Sequence, residues 1–173
     1  MNWMCSVLLI CSFFNPVMDY ENNEEFISDV ETCALHLNSL MSDDERIPVN
    51  LVIAQAVHES NWGKSRFAVE ANNLLGIRTF DSSEDQLKPL DNPNVTWGLR
   101  IFETKCESVS YYMWLLNNNH HYSQFRKERL SQYTNDIVHV ELLVETLAIY
   151  SEDVYYTQKI IRTLKKLESY DRD

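Results

Sequence analysis

Glu59 closes an apolar run, "VNLVIAQAVHES", and is followed at once by Trp62, Gly63 and Ser65 in "ESNWGKS". On a helix Glu59 follows Ala56, Gln55 and Val52 by three, four and seven residues, so it shares a mostly apolar face that turns inward. Withdrawal from water and the partial negative charge at a helix C-terminus both disfavour the carboxylate, and both raise its pKa. A carboxylic acid that keeps its proton near neutral pH is suited to general acid catalysis. The plain alternative is an exposed helix-end acid with "SNWG" as a C-cap. A metalloprotease is excluded by the residues themselves, because "HESNW" begins like HExxH but carries Trp62 where the second histidine belongs. No metal and no cofactor is expected.

The elements that must hold this acid follow from periodicity. Phe26, Val30, Cys33, Leu37 and Leu40 make one helical stripe, preceded by an acidic, Asn-rich stretch at 19–25 that reads as a capping linker. A second helix starts near Pro48 and runs to Gly63, a natural stop. Residues 79–96 carry two prolines and little periodicity, which predicts a long surface loop, and "VTWGLRIF" after it alternates like a strand. Cys106, Val109, Met113 and Leu116 stripe one side of a further helix while Tyr111, Trp114 and Leu115 occupy the other, so this helix is expected to be buried all round. "FRKERL" at 125–130 reads as a solvated helix face, and helices over about 137–149 and 155–168 close the chain.

Composition narrows the class. With 45% apolar residues and only three glycines and four prolines in 173 residues, the chain is a helix-rich single domain rather than a disordered or turn-rich one. A formal net charge of -11 disfavours nucleic acid and anionic membranes as partners. Cys5, Cys11, Cys33 and Cys106 form no metal-ligand spacing; buried free thiols are the expectation, with a Cys33–Cys106 disulfide as the alternative in an exported protein. The apolar N-terminal segment 1–20 has signal-peptide length but no Lys or Arg before Arg46, so it reads as an atypical signal or anchor, or as an arm packed on the domain at 21–173. It is too short for a stable membrane span.

The stretch "IAQAVHESNWGKSRFAVEANNLLGI" resembles the signature of the glucosaminidase family of peptidoglycan hydrolases, glycoside hydrolase family 73, with Gln55, Glu59, Ser60, Trp62, Gly63, Ser65, Asn72, Asn73, Leu74, Gly76 and Ile77 at the pattern's fixed places. "LRIFETKCESVSYYMWLL", "YSQFR" and "YSEDVYYTQKI" continue the likeness, which spans about residues 45–168. The resemblance implies a mainly α, lysozyme-like helical domain with a small β-containing lobe, and hydrolysis of the β-1,4 bond after N-acetylglucosamine in the glycan strands of peptidoglycan. It implies Glu59 as the general acid and Tyr150 as an active-site hydroxyl. Gln55, Ser60, Trp62, Asn73 and Phe102 are the implied substrate-binding residues, although packing and turn capping account for Trp62 and Asn73 equally well.

Two departures stand out. The second carboxylate that the family often places in the β-lobe has several candidates, Glu84, Asp85 and Asp91, and a mobile lobe carboxylate that positions water is the favoured reading. Glu152 and Val154 replace the family's usual Thr and Pro. Two alternatives remain beside a hydrolase, a non-catalytic glycan-binding module and a lytic transglycosylase. The sequence carries no wall-targeting repeat, so the enzyme is expected in the cell envelope, secreted or phage-associated, with assembly into a larger envelope or virion structure as one route to its substrate.

Overall fold

The computed structural model describes Met18, residues 20–135 and residues 138–170. Most of the N-terminal segment, with Cys5 and Cys11, lies outside the described residues, as does the start of the helix expected from 137.

Seven α-helices and a small sheet make up the described chain: α1 (Asn23–Ser39), α2 (Val49–Ser60), α3 (Arg66–Glu70), β1 (Arg78–Thr79), β2 (Gln86–Leu87), β3 (Gly98–Arg100), α4 (Lys105–Asn118), α5 (Ser123–Thr134), α6 (Val140–Glu145) and α7 (Tyr156–Tyr170). The Asn22 side chain caps α1 by accepting from the Glu25 amide, and the Glu25 carboxylate accepts in return from the Glu21 amide. The predicted stripe Phe26, Val30, Cys33 and Leu37 is buried, whereas Leu40 lies past the helix end and is exposed.

Helix α2 is the centre of the core. Every residue from Leu51 to Val57 is buried, because α1 packs on one side of it and α7 on another. It ends at Asn61 rather than at Gly63: Asn61, Trp62 and Gly63 are successive left-handed residues at φ 51°, 60° and 70°. Ser60 makes this turn affordable for non-glycine residues by donating to the Ala56 carbonyl (2.5 Å) and accepting from the Gly63 amide (2.7 Å). Gly63 has a second reason to lack a side chain, since a Cβ there would collide with the Tyr20 hydroxyl, which bonds to the Gly63 carbonyl.

The β-lobe is smaller than the alternating sequence suggests. Strand β3 covers only three residues and lies between β1 and β2, antiparallel to both, with Arg78 opposite Leu99 and Gln86 opposite Arg100. The expected surface loop thus contains a short strand, and Lys88, just after that strand, donates to the Val95 and Trp97 carbonyls just before β3.

Four further expectations are corrected. Helix α4 is not buried all round: Cys106, Val109, Met113 and Leu116 face the core, but Tyr111, Trp114 and Leu115 are only partly covered and border two clefts. Cys33 and Cys106 are not free thiols but a disulfide, because α1 and α4 lie side by side and bring their Cα atoms to 5.8 Å. On α5 the "FRKERL" cations are structural as well as solvated, since Arg129 is buried and donates to the Glu45 carbonyl and the Asn117 side chain, and Arg126 donates to the Leu116 and Asn119 carbonyls. The helix expected over 137–149 is a short α6 followed by a 3-10 turn, Ala148–Tyr150. No helix among the described residues is long and apolar enough to cross a membrane.

Candidate active site

Glu59 sits in the last turn of α2 at the base of a cleft of about 560 Å³ between the β-lobe and the helices. Arg78 and Phe80 border it from the lobe, Tyr111 and Tyr122 from the helical body, and Tyr150 and Glu152 from the segment before α7. Burial pushes the Glu59 carboxyl up to about 7, against the opposing pull of a hydrogen bond from Tyr156 and the positive charge of Arg78. The desolvation argued from helical spacing is therefore the leading cause.

Behind the acid runs an ordered chain of donors. The Tyr112 hydroxyl donates to Oε1 of Gln55, Nε2 of Gln55 donates to the Tyr156 hydroxyl (2.6 Å), and the Tyr156 hydroxyl donates a hydrogen bond to Glu59. Both Gln55 and Tyr112 are fully buried, so every link must be made to offset the cost of burying it. Tyr150 stacks on Tyr156 with its ring centroid 5.9 Å away, and its hydroxyl donates to the Leu75 carbonyl (2.6 Å). Its ring walls the cleft while its proton is committed to the backbone. Burial holds the hydroxyls of Tyr112, Tyr150 and Tyr156 well above the usual tyrosine range, so these groups stay neutral donors beside the carboxyl.

Gly76 completes the pocket of the acid. It takes φ +65°, and a Cβ on it would lie 3.1 Å from Oε2 of Glu59. The turn carrying it is fixed by Asn73, whose side chain donates to the Ile77 and Arg100 carbonyls and accepts from the Ile77 amide.

The residues singled out from sequence thus fall into groups. Glu59 and Tyr150 share the cleft. Gln55 stands behind them, while Ser60 and Asn73 are buried organisers of the turns on either side. Trp62 packs against Phe26, Tyr170 and Lys166. Phe102 and Asp85 border a neighbouring cleft, also about 560 Å³, that shares Tyr111 with the first and continues over Trp114. Asp91 is exposed on the segment joining β2 to β3. Glu84 is held below the usual carboxylate range, first by the Thr79 hydroxyl and then by the Arg100 guanidinium. Sequence reasoning missed Tyr112, Tyr156 and Arg78. The only local sign of Tyr156 was its place in "YSEDVYYTQKI", since its partner Gln55 lies 101 residues away.

A helical body with a small antiparallel lobe, and one partly desolvated carboxyl in the cleft between them, suit a glycoside hydrolase. Residues 37–169 match the glucosaminidase family, described as mannosyl-glycoprotein endo-beta-N-acetylglucosaminidase, and the chain belongs to that family. It is 35% identical over 92 residues to Protein bax of Escherichia coli (strain K12), an alignment covering 53% of this chain and 32% of that protein, so the match spans about a third of that relative's length. The fold is similar to the C-terminally truncated glycoside hydrolase domain of Salmonella typhimurium FlgJ, with a TM-score of 0.58 and 18% identity over 86% of this chain and 99% of that one. It is also similar to the catalytic domain of the autolysin Auto from Listeria monocytogenes, with a TM-score of 0.63 and 17% identity over 100% of this chain and 98% of that one.

Proposed function

We propose that the protein hydrolyses peptidoglycan at the β-1,4 bond after N-acetylglucosamine, with Glu59 as general acid. The observation that carries this reading is a single carboxyl, raised to about 7 by burial, at the base of an open cleft in a glucosaminidase-family chain. Glu59 gives its proton to the leaving glycosidic oxygen. As negative charge then grows on the carboxylate, the Tyr156 hydroxyl supports it and Arg78 stabilises it electrostatically. The second cleft, which shares Tyr111 as a lining residue with the first, offers further surface to a polymeric substrate, and exposed Phe80 and Ile149 offer apolar surface to sugar rings.

Water must then reach the anomeric carbon. Among the lobe acids, Glu84 is tied to Arg100, and Asp85 is anchored where its carbonyl accepts from the Ile101 amide. Asp91 lies outside the sheet pairing, on an exposed segment, and we assign the water-positioning role to it through a movement of that segment toward the cleft. The substrate's own 2-acetamido group is the competing assistant.

The test is mass spectrometry of fragments released from purified peptidoglycan by the protein and by its Glu59→Gln variant. Reducing ends bearing N-acetylglucosamine, lost in the variant, are expected. Anhydro-sugar ends would reassign the enzyme as a lytic transglycosylase, and silence from the folded parent protein would leave a glycan-binding module.

A further inference from the structure

We propose that Arg78 is a specificity residue that grips a carboxylate of the substrate's peptide stem beside the scissile bond, and that Glu152 occupies this place in the free protein as an internal stand-in. The inference rests on the peptidoglycan reading above.

Among the described residues that line the Glu59 cleft, Arg78 is the only Lys or Arg. That is notable in a chain of net charge -11, which otherwise repels an anionic polymer. Its guanidinium is set in place from below, lying over the Trp97 ring at 4.1 Å from the centroid, while its backbone belongs to β1 opposite Leu99. From the cleft side it is held loosely. One nitrogen reaches Oε1 of Glu152 at 3.3 Å, and the Glu152 side chain is 91% exposed. An exposed pair of this length contributes little to stability, and an incoming carboxylate displaces Glu152 at small cost.

The geometry matches the substrate's chemistry. A plain chitin-like strand carries no charge, whereas peptidoglycan carries carboxylates on the lactyl-linked peptides of alternate sugars. A guanidinium stacked on Trp97 at the edge of the catalytic cleft distinguishes the two, because its planar fork donates two parallel hydrogen bonds to a carboxylate. The same position lets Arg78 act on Glu59 electrostatically. A role confined to that effect would not distinguish charged from neutral glycans, and this difference supplies the test.

The full chain carrying Glu59→Gln, which leaves substrate uncut, is titrated calorimetrically with two soluble tetrasaccharides. One is a peptidoglycan fragment bearing its peptide stems and the other is chitotetraose, which has no carboxylate. In this background Arg78→Gln is expected to lower the ratio of the two affinities, charged over neutral, by about tenfold, the scale of one lost charge-assisted hydrogen bond. Arg78→Lys, which keeps the charge without the fork, should retain part of the ratio, and Glu152→Gln should raise it by removing the competitor. Thermal melts confirm that each variant is folded. Equal weakening of both ligands by Arg78→Gln, or a lower ratio in Glu152→Gln, would overturn the inference while leaving the hydrolase reading intact. Failure of the parent to bind either ligand would overturn both.

Discussion

At the residue scale, Glu59 fixes the pH behaviour. Its proton is needed for leaving-group departure and its pKa is raised to about 7, so activity should decline as pH rises through 7, read as the basic limb of kcat/KM. Stability follows the same group with a definite sign. Between its ordinary value of 4.5 and about 7 the folded state binds more protons than the unfolded one, so the cost of burying the carboxyl is absent below 4.5 and complete above 7. Glu59→Gln should therefore resist urea unfolding better than the parent at pH 8, by up to about 3 kcal/mol, with the difference vanishing near pH 4. Tyr156→Phe removes the donor that lowers the Glu59 pKa and orphans the buried Gln55 amide. The basic limb should move to higher pH, while urea unfolding shows a loss of roughly 1–3 kcal/mol. Gly76→Ala should lose stability by about 1 kcal/mol or more from its left-handed backbone, and activity from pressure on Oε2 of Glu59.

At the scale of elements, the lobe segment joining β2 to β3 is where the mechanism is decided. Asp91→Asn should lower kcat by roughly 100-fold, and Asp85→Asn, facing the neighbouring cleft, should stay within about twofold. Retention of activity in Asp91→Asn, measured as fragment release, would transfer the assisting role to the substrate's acetamido group. This is also where the sequence was least legible. The acid itself could be read because everything that raises its pKa in the argument, Val52, Gln55 and Ala56, lies within two turns of one helix. The lobe could not, since its strands are two or three residues long and a period of two has no room to show itself. Helix α4 misled for a related reason. Its aromatic side, Tyr111 and Trp114, has the same apolar pattern whether it faces a core or a carbohydrate groove. The break between α6 and the turn at Ala148–Tyr150 was equally hidden, because that turn is shaped by Tyr150 reaching the Leu75 carbonyl, 75 residues away.

At the scale of the whole molecule, the pairing of α1 with α4 turns Cys33 and Cys106, expected as free thiols with a disulfide as the alternative, into a cross-link between residues 73 apart in sequence. On a loop-entropy view such a bridge stabilises by about 4 kcal/mol, so dithiothreitol, or Cys33→Ser, should lower the melting temperature clearly while leaving the fold's circular dichroism intact. The bridge also encloses a covalent ring, and that ring holds α2, α3 and the entire β-lobe, with Glu59, Gly76, Arg78 and Asp91 inside it. A protease that nicks the exposed segment around Leu90 therefore opens the chain without dividing it. The two fragments travel as one band on a gel until a reductant is added, and strand β3 stays tethered to the fragment that carries the acid, β1 and β2 through a wound that would sever that covalent link in an unbridged protein.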